Sequence, residues 1–120
     1  YGDMPEVCRN YGLFPSMDDW LGKILLMESC EEYMPPETYK KALETLQETG
    51  VFDAVSGVLV GKPMDDMYHE EYKKLLVETI SNKELPILCN INVGHAQPRC
   101  ILPFGVPAHV DADAQVIRFG

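Results

Sequence analysis

Three apolar runs constrain this chain more than any other feature: Lys23-Ile24-Leu25-Leu26-Met27-Glu28, Ser56-Gly57-Val58-Leu59-Val60 and Pro86-Ile87-Leu88-Cys89-Asn90-Ile91. None alternates apolar with polar residues as a half-exposed strand would, so each reads as a strand covered on both faces. Helical patterns lie between them. Pro35 and Pro36 suit a helix start, Tyr39, Ala42, Leu43 and Leu46 recur at helical spacing, and Gly50 is a natural stop. A second helix is predicted from about Met67 to Ile80, with Tyr68, Tyr72, Leu75, Leu76 and Ile80 on its apolar face and Asp65 and Asp66 helping to start it. Strands alternating with helices predict an α/β fold, a small parallel sheet with right-handed crossovers.

Beyond residue 95 the texture changes. Cys100-Ile101-Leu102-Pro103, Val106-Pro107-Ala108-His109-Val110 and Gln115-Val116-Ile117-Arg118-Phe119 read as short strands. The Asp111-Ala112-Asp113 turn joins the last two as an antiparallel hairpin. Residues 1–20 hold no lasting period and read as an irregular interdomain or interface segment, and residues 21–120 form the domain. Tyr11, Leu13, Phe14 and Trp20 make that first segment too apolar for a free tail, so it is expected to pack against another domain or subunit.

With 120 residues the chain is long enough for one domain with its own core. A formal charge of −9 argues against a nucleic-acid partner, because phosphate binding needs basic patches. The pairs Lys40-Lys41 and Lys73-Lys74 fall inside helical patterns and read as solvated faces. No apolar run approaches the roughly 20 residues that span a bilayer, so no membrane partner is expected. The four cysteines, Cys8, Cys30, Cys89 and Cys100, have no CxxC spacing and are expected to be free thiols without a metal. The chain opens on Tyr1 instead of Met, as a fragment or processed product would.

The chemistry concentrates at strand ends. His95 follows the third strand on a Gly-Pro-punctuated loop, Asn92-Val93-Gly94-His95-Ala96-Gln97-Pro98. Open α/β sheets keep reactive groups just outside the carboxyl ends of their strands. Histidine is the commonest general base near neutral pH. Glu28 closes the first strand, so parallel pairing brings it to the same edge, where a carboxylate can fix an imidazole's tautomer. The competing readings are a histidine that decorates a turn and a strand-end carboxylate in water. Lys62, just past the second strand, is a weaker candidate for contact with a substrate carboxylate. His69 and His109 read as solvated. A base and an orienter still need a nucleophile, and none of Ser16, Ser29, Ser56 or Ser81 sits in a G-x-S-x-G elbow.

The segments Gly94-His95-Ala96-Gln97-Pro98, Leu102-Pro103-Phe104-Gly105 and Val110-Asp111-Ala112-Asp113 resemble the C-terminal signature of the serine LD-carboxypeptidases. That family takes in muramoyl-tetrapeptide carboxypeptidases and microcin C self-immunity peptidases. Gly22-Lys23-Ile24-Leu25-Leu26-Met27-Glu28 resembles the family's G-x-I-L-x-x-E strand, and Gly57-Val58-Leu59-Val60-Gly61-Lys62 its middle strand and loop. The resemblance covers roughly residues 20–120 and is looser before them. It implies a three-layer β/β/α swivelling-type domain with two main helices. It also implies a Ser-His-Glu triad in which His95 is the base, Glu28 its orienter, and the serine belongs to an N-terminal domain that this chain lacks. The chain alone is then expected to be inactive. No metal or other cofactor is implied. The expected partners are the N-terminal nucleophile domain and a peptide substrate in the bacterial cytoplasm: a cell-wall peptide with an L,D-bond, or a microcin C-type peptide–nucleotide antibiotic. A non-catalytic binding module, including a homodimer contact, is the alternative from another class.

Overall fold

The protein is seen in a computed structural model, which describes residues 7, 8, 10–29 and 33–120. In chain order its elements are α1 (Met17–Trp20), β1 (Ile24–Met27), α2 (Pro36–Glu48), α3 (Val51–Ala54), β2 (Gly57–Gly61), a 3₁₀ turn (Met64–Asp66), α4 (His69–Thr79), β3 (Ile87–Ile91), β4 (Ala108–Asp111) and β5 (Val116–Phe119). The first three strands form a parallel sheet in the order β1-β2-β3, and β4 and β5 form a separate antiparallel pair. Among the described residues no helix is long and apolar enough to cross a membrane.

The alternation of side chains along a strand divides the sheet into two faces. Leu25 and Met27 of β1, Val58 and Val60 of β2, and Ile87 and Cys89 of β3 pack with the helices. There they meet Tyr39 and Leu43 of α2, Phe52 of α3, and Tyr72 and Leu76 of α4. Phe52, Leu43 and Leu76 are fully buried, and burial of each such side chain stabilises the fold by about 1.5–3 kcal/mol. The rings of Tyr39 and Tyr72 stack with centroids 4.1 Å apart, locking α2 to α4. On the other face, Ile24, Leu59 and Leu88 line a cavity of about 290 Å³ whose far wall includes Val110 and Ala112 of the hairpin. The layers are therefore hairpin, sheet and helices.

Local signals set the helix ends. Pro36 opens α2, where its missing N–H costs nothing. Gly50, at φ 82°, ends that helix, its N–H donating to the Gln47 carbonyl at 3.0 Å. Ser56 donates its hydroxyl to the Gly22 and Lys23 carbonyls at 3.2 and 3.1 Å, tying the entry of β2 to the entry of β1.

Three expectations need correction. Residues 17–20 are helical, because Ser16 and Asp19 make a reciprocal capping box. Trp20, which in the sequence reads as a core anchor or an interface residue, is partly buried against the core cluster and lies 6.1 Å from the Phe14 ring. Asp65 and Asp66 do not start α4; they belong to the preceding 3₁₀ turn with left-handed backbone, and the acidic first-turn residues are Glu70 and Glu71. Cys100–Pro103 is not a strand. Its anchor is the Cys100 N–H, which donates to the Asn92 carbonyl at 2.7 Å, and Ile101 and Phe104 are 94% and 80% exposed. A strand needs a partner as well as apolar composition.

Candidate active site

The carboxyl ends of β1, β2 and β3 lie along one edge. Met27 pairs with Val60, so Glu28 comes level with Gly61, and Gly61 pairs on its other side with Ile91 of β3. Two strand spacings, roughly 10 Å, separate the lines of β1 and β3. A group from one can reach the other only if the middle strand presents no side chain between them. Gly61 meets that condition. A Cβ placed there would lie 2.9 Å from the Val93 carbonyl oxygen and 3.3 Å from the Glu28 Cβ.

Glu28 uses the gap. Its carboxylate lies against the backbone of Gly94, where an added Cβ would overlap Oε2 and meet the Glu28 Cβ and Cδ at 3.4 Å. Gly94 itself has φ 93°, a conformation that side chains disfavour. The structure thus brings Glu28 to the residue that precedes His95.

The approach of His95 depends on a bulge. Leu59 pairs with Leu88 but Gly61 with Ile91, so β3 carries one residue more than β2 over this stretch. Asn90 absorbs it in left-handed backbone at φ 65°. One extra residue flips the face of everything that follows and re-aims the strand end. The chain then turns: the Val93 N–H donates to the Ile91 carbonyl at 2.7 Å, and buried Ala96 anchors the far side of the loop. His95 is half-buried, with Nδ1 shielded from solvent. The Gln97–Pro98 peptide is cis.

Lys62 stands at the same edge. Its N–H donates to the Ile91 carbonyl at 2.9 Å, and its Nζ lies 3.5 Å from Asp66 Oδ1. Of the other histidines, His69 opens α4 with Nε2 3.8 Å from Glu70 and lines a dent that also takes in Gly61 and Ser29, and His109 is exposed on β4 opposite Arg118. His69 is less solvated than its acidic surroundings suggest, at 24% side-chain exposure. Lys40 and Lys74 make exposed contacts with Glu44 and Glu78. Cys8, Cys89 and Cys100 are free thiols, and Cys30 lies outside the described residues. Burial pushes the Cys89 thiol up, against the opposing pull of Lys73. Among the described residues no three of His, Cys, Asp or Glu are grouped to hold a metal ion.

Two cavities among the described residues lie on either side of the sheet. The dent on its helix side, between Ser29, His69, Lys73, Cys89 and Asn90, measures about 10 Å³, room for one water. The 290 Å³ cavity lies beside the strand starts, at Ile24, Gly57 and Ile87. Sequence reasoning singled out Glu28 and His95 as candidates, and the structure brings Glu28 against the neighbour of His95; it did not single out Gly61, Gly94 and Asn90, which allow that approach. A glycine ending a buried strand, where another backbone approaches closely, was the available signal.

Comparison with known proteins now adds to this geometry. The model of the LD-carboxypeptidase C-terminal domain matches residues 6–110. A Streptomyces coelicolor protein named as a carboxypeptidase is 34% identical over 86 residues, 70% of this chain and 28% of that protein. The microcin C7 self-immunity protein MccF of Escherichia coli is 28% identical over 95 residues, 77% of this chain and 27% of its own length. The crystal structure of an MccF-like protein from Streptococcus pneumoniae in complex with AMP superposes with a TM-score of 0.90 and 54% identity. It covers 100% of this chain, which in turn covers 35% of that one. The chain thus spans about a third of the length of these relatives.

Proposed function

The chain belongs to the LD-carboxypeptidase family, as its C-terminal domain, and from that premise we propose that it supplies the histidine and glutamate of a Ser-His-Glu triad. The serine belongs to a separate N-terminal domain of the whole enzyme. The observation that carries this reading is the seating of Glu28 against Gly94, next to His95, across the gap left by Gly61.

The chemistry follows from those roles. The serine hydroxyl attacks the carbonyl of the scissile L,D-peptide bond while His95 takes its proton. His95 then gives that proton to the leaving amine, and the acyl-enzyme remains. Water, deprotonated by the same imidazole, releases the acyl group and restores the serine. Glu28 stays ionised, fixing the tautomer of His95 and stabilising the imidazolium that forms in each half-reaction. The shielding of Nδ1 favours that nitrogen as the one held by the protein and Nε2 as the one that handles the proton. Lys62, at the same edge and 3.5 Å from Asp66, is on this reading the candidate contact for a substrate carboxylate.

Two substrates fit this chemistry. One is a cell-wall peptide with an L,D-bond, processed in the cytoplasm. The other is a microcin C-type peptide–nucleotide, a reading favoured by the likeness to the AMP-bound MccF-like structure. The test is hydrolysis of both by the full-length protein, with His95→Ala in parallel. Turnover of either substrate, falling by about a thousandfold or more in the variant, is the expected result. Normal turnover in the His95 variant would sink the triad. Inactivity of a well-folded full-length protein towards both substrates would favour a binding module.

A further inference from the structure

The segment that leaves β2 beside the site has an unusual backbone. Asp65 (φ 52°), Asp66 (φ 57°) and Tyr68 (φ 58°) all sit in the left-handed region, and none is glycine. Aspartate tolerates that region because its short side chain can bond locally, but a bulky tyrosine there is an outlier. Helix capping gives no account of it, since Tyr68 is the N-cap of α4 without a side-chain cap hydrogen bond. Such a conformation persists only where its surroundings impose it, and such residues gather where ligands are gripped.

The turn is tied to its surroundings by Tyr33, whose hydroxyl donates to Asp65 Oδ2 at 2.5 Å. Tyr33 lies five positions after Glu28 and is 47% exposed, so it contributes little to the core. Its neighbour Met34 accepts from the Tyr72 hydroxyl through its carbonyl at 2.5 Å, which holds this stretch to α4. Within the turn, the Asp66 N–H donates to the Pro63 carbonyl at 3.2 Å and Asp66 pairs with Lys62. The segments that leave β1 and β2 are thus tied together outside the carboxyl edge of the sheet, the side on which α/β sheets take ligands.

We infer that the Lys62–Tyr68 turn is a substrate-contacting wall of the site and that Tyr33 is its positioning residue, acting through Asp65. This inference rests on the hydrolase reading above. The hydrogen bond to Asp65, and its charge, push the Tyr33 phenol above its ordinary range.

The experiment uses the full-length protein and whichever of the two substrates it turns over. Tyr33→Phe keeps the ring and removes the donor. Asp65→Ala removes the acceptor, whereas Asp65→Asn keeps both an acceptor and tolerance of left-handed backbone. Tyr33→Phe and Asp65→Ala are expected to raise KM about fivefold, the effect of one lost hydrogen bond, with kcat little changed. Asp65→Asn is expected to restore KM to within about twofold, and the melting temperature of Tyr33→Phe to match the parent. A KM unchanged in both Tyr33→Phe and Asp65→Ala would overturn the inference. So would loss of kcat together with melting temperature, which marks a structural tie only. Wild-type inactivity, or full activity of His95→Ala, would instead overturn the hydrolase reading on which this one stands.

Discussion

Gly94 and Gly61 act through what they lack. Glu28 and His95 stood out in the sequence as candidates because each ends or follows an apolar run, and parallel strands carry their ends to one edge. The two glycines did not, since only the folded edge shows that a Cβ at Gly94 would overlap the Glu28 carboxylate and one at Gly61 would press on the Val93 carbonyl and the Glu28 Cβ. Gly94→Ala combines a Cβ inside the Glu28 carboxylate with a φ of 93° that alanine resists, a backbone cost of about 1–2 kcal/mol by itself. The expected outcome is a lower melting temperature together with at least a tenfold loss of turnover in the full-length protein. Retained turnover would mean that Glu28 does not need this seat. Glu28→Gln separates charge from shape, because the amide fits the same space. With the triad roles proposed above, it is expected to lower kcat by about a thousandfold while KM and melting temperature stay close to the parent. Parent-like kcat would remove Glu28 from the mechanism.

Among the elements, those with long-range apolar character were readable and those defined by a neighbour were not. The three strands and the helices α2 and α4 follow from residues such as Val58 and Leu43, whose burial is written in their spacing. The bulge at Asn90 is different, because an extra residue exists only relative to the partner strand. Cys100–Pro103 failed for the same reason in reverse, since its apolar residues find no strand to pair with. Helix α1 is four residues long and shows no period, though Ser16 followed three positions later by Asp19 was a usable start signal. Two measurements bear on this scale. Leu43→Ala and Leu76→Ala, each at the α2–α4 contact with the sheet, are expected to cost about 2–5 kcal/mol each in denaturant unfolding. The α1 cap should show in the pH dependence of stability. The Ser16 hydroxyl and N–H hold the Asp19 carboxyl below its ordinary 3.8. A folded pKa below the unfolded one stabilises above the unfolded value and ceases to do so as pH falls through the folded value. The gap in melting temperature between the parent and Ser16→Ala should therefore be constant near neutrality and shrink below about pH 4. A gap independent of pH would remove Asp19 from the cap.

At the scale of the whole molecule, the distribution of exposed apolar surface bears on how the site is completed. Ile101 and Phe104 lie six and nine positions after His95 and are 94% and 80% exposed, while Tyr11, Leu13 and Leu21 of the first segment are each more than two-thirds exposed. The relatives are about three times as long as this chain. A triad whose serine comes from another domain requires that domain to face the carboxyl edge of the sheet, where the loop carrying Ile101 and Phe104 departs. Burying one such side chain contributes about 1.5–3 kcal/mol, so the two together would stabilise a domain contact appreciably. Replacing both with serine (Ile101→Ser with Phe104→Ser) should then leave the unfolding midpoint of the isolated chain unchanged, because neither residue is covered within it. The same pair of changes in the full-length protein should lower its midpoint and raise KM, since loosening the domain contact moves the serine relative to His95. Equal shifts in both proteins would mean that these residues stabilise their own loop, and no shift in either would place the nucleophile domain against a different face.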